Sequence, residues 1–144
     1  MKKHHRKIGA LVSGGLDSAA LINHLLKKGF QVWPVYVSCG LRWEKTELYW
    51  LKKFLFHVRS TRLKPLRLVY LHLENAYRKN WSRRGNTPGR KSPDEAVFLP
   101  ARNLLLIVKS LLYLSSMDVY VMAMAMATLK GNPFPDAQKI TFCY

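Results

Sequence analysis

Two adjacent glycines, Gly14 and Gly15, separate an apolar run ending at Val12 from an amphipathic stretch beginning at Asp17. No other feature constrains the fold of this chain as strongly. Lys7 to Val12 reads as a short buried strand. From Asp17 to Lys28, Ala19, Ile22, Leu25 and Leu26 recur at helical spacing, and Gly29 supplies a stop. The six residues between, Ser13-Gly14-Gly15-Leu16-Asp17-Ser18, therefore turn a strand into a helix. Glycines there let the backbone bend tightly and approach a ligand without Cβ interference. The amides of the turn and of the helix N-terminus offer donors to an anion. Ser13 and Ser18 add hydroxyls, and Asp17 either caps the helix or holds Mg²⁺ against phosphates. The segment is not a Walker loop, since no Gly-Lys-Ser/Thr follows, and its spacing is not G-x-G-x-x-G. The plainer alternative is an ordinary strand–helix turn with Asp17 as its cap.

The rest of the chain repeats the alternation. Gln31 to Val37, rich in β-branched and aromatic residues, reads as a second strand. Trp43 to Arg59 returns to the helical period through Leu48, Leu51, Leu55 and Val58, with Lys52, Lys53 and Arg59 outward. Leu66 to His72 is a third strand, Ala101 to Ser115 a largely buried helix, and Asp118 to Met126 a strand apolar on both faces, as in the centre of a parallel sheet. Residues 78–93, with six basic and no acidic side chains, form a long loop, and Gly131 to Pro135 form a turn. The expected fold is one α/β domain over residues 1–144, a Rossmann-like parallel sheet with helices on both faces and right-handed crossovers. In such a sheet the ligand lies beyond the carboxyl ends of the strands. The Ser13–Ser18 turn, the Ser38–Glu44 segment and the residues after Met126 fall there.

Composition narrows the partners. With 24 Lys and Arg against 8 Asp and Glu, the formal net charge is +16. Such a field attracts phosphates or a polyanion, although solvated surface lysines would produce the same count. Cys39 and Cys143 make no C-x-x-C pair and no zinc spacing. The histidines at 4, 5, 24, 57 and 72 form no ligand pattern. The basic start lacks the apolar run of a signal peptide, and Leu104 to Leu114 is shorter than the ~20 residues of a membrane span. A cytoplasmic protein without a membrane partner is expected.

The six-residue turn matches, at every fixed position, the signature that it resembles: that of the PP-loop ATP pyrophosphatases, relatives of the adenine nucleotide alpha hydrolases. The resemblance implies a three-layer sandwich that binds ATP and Mg²⁺ through Ser13, Gly14, Gly15, Leu16, Asp17 and Ser18. It also implies transfer of AMP to a carboxylate or carbonyl-type oxygen with release of pyrophosphate. Further segments are similar to the 7-cyano-7-deazaguanine synthase (ExsB/QueC-type) branch, which acts in queuosine biosynthesis. These are Pro34-Val35-Tyr36-Val37, Gly40, Trp43-Glu44 and Glu47, Trp81-Ser82, Val97-Phe98-Leu99-Pro100-Ala101-Arg102-Asn103, and Gly131-Asn132-Pro133-Phe134-Pro135-Asp136. The likeness runs from about Ile8 to Asp136. Two departures stand out. Ala101 replaces the glycine of the family's Pro-Gly-Arg-Asn, and the chain carries Cys143 alone where the family has a zinc-binding cluster of four cysteines in a longer C-terminal region. This is the pattern of a zinc-free shortened relative, or of a reading frame truncated or shifted near Gln138.

On this resemblance Asp17 and Arg102 are the candidate catalytic residues, and Glu44, Asn103, Asn132 and Asp136 the candidate substrate contacts. Each has a structural alternative. Arg102 either binds phosphate or a carboxylate bidentately or merely begins a helix. Asn103 caps that helix, and Glu44 favours a helix N-terminus. Trp43 and Trp81 pack, and Met122, Met124 and Met126 line the core. Three functions follow. One is an ATP-dependent C–N ligase that converts a 7-carboxy-7-deazaguanine-type acid to the nitrile with ammonia. Another is a degenerate PP-loop protein that only binds ATP. The last is a PP-loop enzyme that modifies tRNA, for which the charge and the basic loop argue but no RNA-binding motif does.

Overall fold

The computed structural model describes residues 6–73, 99 and 101–125. Four strands form one sheet: β1 (Lys7–Leu11), β2 (Gln31–Ser38), β3 (Arg67–Tyr70) and β4 (Met122–Met124), in the order β3-β2-β1-β4 with every pairing parallel. Helix α1 (Leu16–Lys27) joins β1 to β2, and α2 (Glu44–His57) joins β2 to β3. Helix α3 (Arg102–Ser115) precedes β4. The alternation read from the sequence is the fold.

Side chains alternate across the sheet as the two-residue strand period requires. Ile8, Ala10, Val12, Val32 and Tyr36 point to one face, where Ile22, Leu25 and Leu26 of α1 and Leu51 of α2 close over them. Leu11, Val35, Val37 and Val69 point to the other, against Leu106 and Leu114 of α3. Helices thus cover both faces, in a three-layer Rossmann-like arrangement. Gly9 lets α3 come close, because a Cβ there would collide with the fully buried Leu114 side chain.

Pro34 lies inside β2, a strand flanked on both sides. The backbone of Val32 bonds to Arg62 and Lys64, whereas the Val35 carbonyl accepts from Val12 on the β1 side. Pro34 therefore faces β3, in the gap between the Val32–Leu63 bridge and the first β3 pair, Val35 with Arg67. Its missing N–H costs no ladder bond there.

Two expectations need correction. Helix α3 is not largely buried: Leu106, Ser110 and Leu114 face the sheet, while Leu104, Val108 and Leu112 lie exposed one turn apart. A helix laid on one sheet face buries one stripe, whatever its composition. The strand expected from Asp118 is only Met122–Met124, because Asp118 takes the left-handed conformation (φ 56°) in the turn that ends α3. Among the described residues β4 pairs with β1. Met122 and Met124 pack against the core as expected, as does Trp43. Trp81, Met126, the 78–93 loop and the Gly131–Pro135 turn lie outside the described residues.

Candidate functional site

From β1 the chain runs through α1 to β2 on one side, whereas β4, which follows α3, pairs with β1 on the other. The turn after β1 thus lies where the strand order reverses, the place at which parallel sheets open a ligand crevice. Ser13–Ser18 occupies that turn. The Ser13 N–H donates to Ser18 Oγ (2.8 Å), the two hydroxyls are 3.2 Å apart, and the Gly15 N–H donates to Ser13 Oγ (3.2 Å). Ser18 is buried, so its hydroxyl shapes the loop from within, while Gly15, Leu16 and Asp17 are exposed at its crest.

Gly15 is the N-cap of α1, and the Ala19 N–H makes a bond to the Gly15 carbonyl at 3.3 Å. The amides of Leu16, Asp17 and Ser18 thus stand in the first turn, ahead of intrahelical pairing. Asp17 is the second residue of the helix and not its cap, so the capping alternative does not hold. Its exposed carboxylate stands beside those amides. Asp17 with phosphate oxygens and water makes a donor set suited to Mg²⁺. Among the described residues no three His, Cys, Asp or Glu side chains cluster as metal ligands.

Gly14 fixes the loop against α2. A Cβ on it would lie 2.6 Å from the Glu47 carbonyl oxygen and 2.8 Å from the Glu47 Cα. Gly14 is thus required for packing, whereas a Cβ on Gly15 would meet only Ser13 Oγ, at 3.4 Å. The first turn of α2 is in turn tied to β2. Glu44 is buried, and its carboxylate accepts from Ser38 Oγ and from the Cys39 N–H, both at 2.6 Å. Tyr36 Oη donates to Glu47 Oε2 at 2.8 Å. These bonds tie the end of β2 to the start of α2, on which Gly14 of the loop packs.

Arg102, the first residue of α3, reaches the end of β2 from the other sheet face. Its positive charge acts on both Tyr36 and Cys39, and its buried Nε has no hydrogen-bond partner among the described residues. Burial pushes the Cys39 thiol up to about 11, with Arg102 pulling it down and nearby Glu44 pushing it up. It stays a thiol at neutral pH. Burial, then the bond to Glu47, raises Tyr36 far above the ordinary phenol range. Ala101, just before Arg102, is the N-cap of α3 and left-handed, with φ 57° and ψ 13°. The helix begins there, so Asn103 is its second residue and not its cap.

The structure thus brings Glu44 and the charge of Arg102 to the end of β2, and packs the Ser13–Ser18 loop on Glu47 of the same helix start. Asn132 and Asp136 lie outside the described residues. The inward pairs Tyr36–Glu47 and Ser38–Glu44 were not foreseen. Their only sequence trace is a carboxylate on successive turns at the start of a helix, directly after a strand ending in Tyr and Ser.

A family model described as queuosine biosynthesis protein QueC matches residues 7–143. The chain belongs to this family, and hence to the PP-loop superfamily that its loop resembles. No individual curated protein matches it. No described helix is long and apolar enough to cross a membrane.

Proposed function

We propose that this member of the QueC family is an ATP-dependent C–N ligase that makes the nitrile of a 7-carboxy-7-deazaguanine-type acid from ammonia. The observation that carries this reading is the Ser13–Ser18 turn at the reversal of strand order, with the charge of Arg102 brought to the end of β2. In it, a substrate carboxylate oxygen attacks the α-phosphorus of ATP and pyrophosphate leaves. Ammonia then adds to the activated carbon, AMP departs and the amide forms with loss of a proton. A second adenylation, on the amide oxygen, lets loss of AMP and two protons give the nitrile.

The chain's own groups have distinct tasks. The amides at the start of α1 stabilise the negative charge that develops on the leaving pyrophosphate. Asp17 would hold Mg²⁺ beside them, and the ion would supply further stabilisation of that charge. Arg102 pairs with the substrate carboxylate and orients it. Glu44 and Glu47 act as positioning residues, since Ser38, Cys39 and Tyr36 engage their carboxylates. Cys39, buried and protonated, is poorly suited to act as a nucleophile, in keeping with direct attack by ammonia. Asn103, Asn132 and Asp136 are the further substrate contacts in this reading.

The test is incorporation of ¹⁵N from ammonium into a nitrile, followed by mass spectrometry with ATP, Mg²⁺ and the deazaguanine acid. Labelled nitrile that disappears in Arg102→Met supports the reading, and unlabelled, unchanged acid contradicts it. One observation favours a reduced reading, in which ATP binds without turnover. Ala101 sits in a left-handed conformation where the family carries glycine, directly before Arg102. In that case Ala101→Gly restores labelling that the natural chain lacks.

A further inference from the structure

Helix α2 carries a second feature on the side turned away from the sheet. Tyr49, Trp50 and Phe56 are 52%, 56% and 61% exposed. A cation lies against each ring. Lys53 Nζ is 4.6 Å from the centre of Tyr49 and 5.3 Å from that of Trp50, and the Arg59 guanidinium carbon is 3.5 Å from Phe56. Tyr49, Lys53 and Phe56 follow one another at helical spacing along a single stripe. Such a face, left open, is costly for a protein that needs only solubility.

The stripe runs on into a groove of about 440 Å³ between the end of α2 and the segment before β3. Phe56, Leu63 and Pro65 give it apolar walls, and Lys52, Arg59 and Lys64 give it charge. From Leu48 to Leu73 the sequence has six Lys or Arg and no Asp or Glu. The two carboxylates of α2, Glu44 and Glu47, are turned inward onto Ser38, Cys39 and Tyr36. No acid on the helix therefore neutralises the stripe. Since the loop packs on Glu47 and the groove is lined from Lys52 onward, the groove begins roughly 8 Å along the helix from the loop and is centred roughly 14 Å from it.

A second copy of the chain would set two such faces of like charge against each other, so self-association does not cover it. The required occupant combines flat aromatic groups with a chain of negative charges. An acidic peptide meets the charge and leaves the rings unused. We propose that the outer face of α2 and the adjoining groove bind single-stranded nucleic acid, with bases stacking on Tyr49, Trp50 and Phe56 and phosphates meeting Lys52, Lys53, Arg59 and Lys64. This surface is separate from the ATP loop, and its test is independent of the ligase reading.

The experiment is fluorescence anisotropy of a labelled single-stranded oligonucleotide of roughly 12 nucleotides, a length within the usual range of single-strand sites. It uses the full chain over a series of salt concentrations. Affinity should fall with salt at a log–log slope of about −0.7 per phosphate neutralised. Trp50→Ala with Phe56→Ala should weaken binding by roughly tenfold or more, and Lys52→Glu with Lys53→Glu should weaken it further. Arg6→Glu with Lys109→Glu, which makes the same change in net charge elsewhere, should leave most of the affinity intact. Four results would overturn the proposal: no binding, no effect of removing the rings, an equal loss in the remote charge control, or competition by poly-glutamate as strong as by unlabelled oligonucleotide. Circular dichroism of each variant separates loss of binding from loss of fold.

Discussion

Ala101 is the residue at which this chain departs most from what its backbone asks for. A side chain at φ 57° brings Cβ against the following carbonyl, a cost of about 1–2 kcal/mol that glycine avoids. Glycine in turn adds backbone entropy to the unfolded chain. The balance predicts that Ala101→Gly stabilises the protein by about 0.5–1 kcal/mol, measurable as a shift of the urea midpoint without a change in slope. No change, or a loss, would mean that the left-handed turn before Arg102 is not the native one. Tyr36 and Cys39 make a second residue-scale prediction. Both hold their protons more tightly folded than unfolded, where their ordinary values are 10.0 and 9.0. Above pH 9 the unfolded chain therefore releases protons that the fold retains, and stability falls as pH rises. Cys39 contributes to this fall up to about pH 11, and Tyr36 above pH 10. Thermal melts between pH 8 and 11 should show the decline, and Cys39→Ala should flatten its lower part. The sequence showed the glycine-to-alanine exchange as a departure from the family motif. The conformation that gives the exchange its cost was visible only in the structure.

At the scale of elements, the contact between loop and helix sets the shape of the proposed site. Helix α2 presses its Glu47 backbone onto Gly14, so Gly14→Ala must push α2 or the loop aside. It should cost about 1–3 kcal/mol of stability, as overpacking typically does, and ATP binding should weaken in parallel. Gly15→Ala meets only Ser13 Oγ and should leave stability nearly unchanged while reducing nucleotide affinity. Isothermal titration together with denaturation separates the two variants, and an identical outcome for both would contradict the division of labour assigned to the glycines. Much of this scale was legible beforehand. Strand period and helix period placed β1, α1, β2 and α2 within a residue or two, because each signal is local. The clamp of Ser38 and Cys39 on Glu44 was not legible, since it depends on how one helix start settles over one strand end. The exposed stripe of α3 was missed for a related reason. Apolar composition shows that a helix can be buried, and only the layer above it shows whether it is.

At the scale of the molecule, the +16 charge suits phosphate-bearing partners, and two separate places are proposed for them. One is the switch-point loop, whose amides suit a nucleotide; the other is the aromatic and basic face of α2. The match over residues 7–143 places the whole chain in a queuosine biosynthesis family, and the fold is the one expected from strand–helix alternation. The reaction assigned to the loop is the central claim. It predicts which phosphate bond of ATP breaks. The most direct measurement is chromatography of the nucleotides after incubation with ATP, Mg²⁺, ammonium and the deazaguanine acid. AMP and pyrophosphate in equal amounts, formed only when the acid is present and lost in Asp17→Asn, is the predicted result. Formation of ADP and phosphate, or AMP production indifferent to the acid, would contradict it.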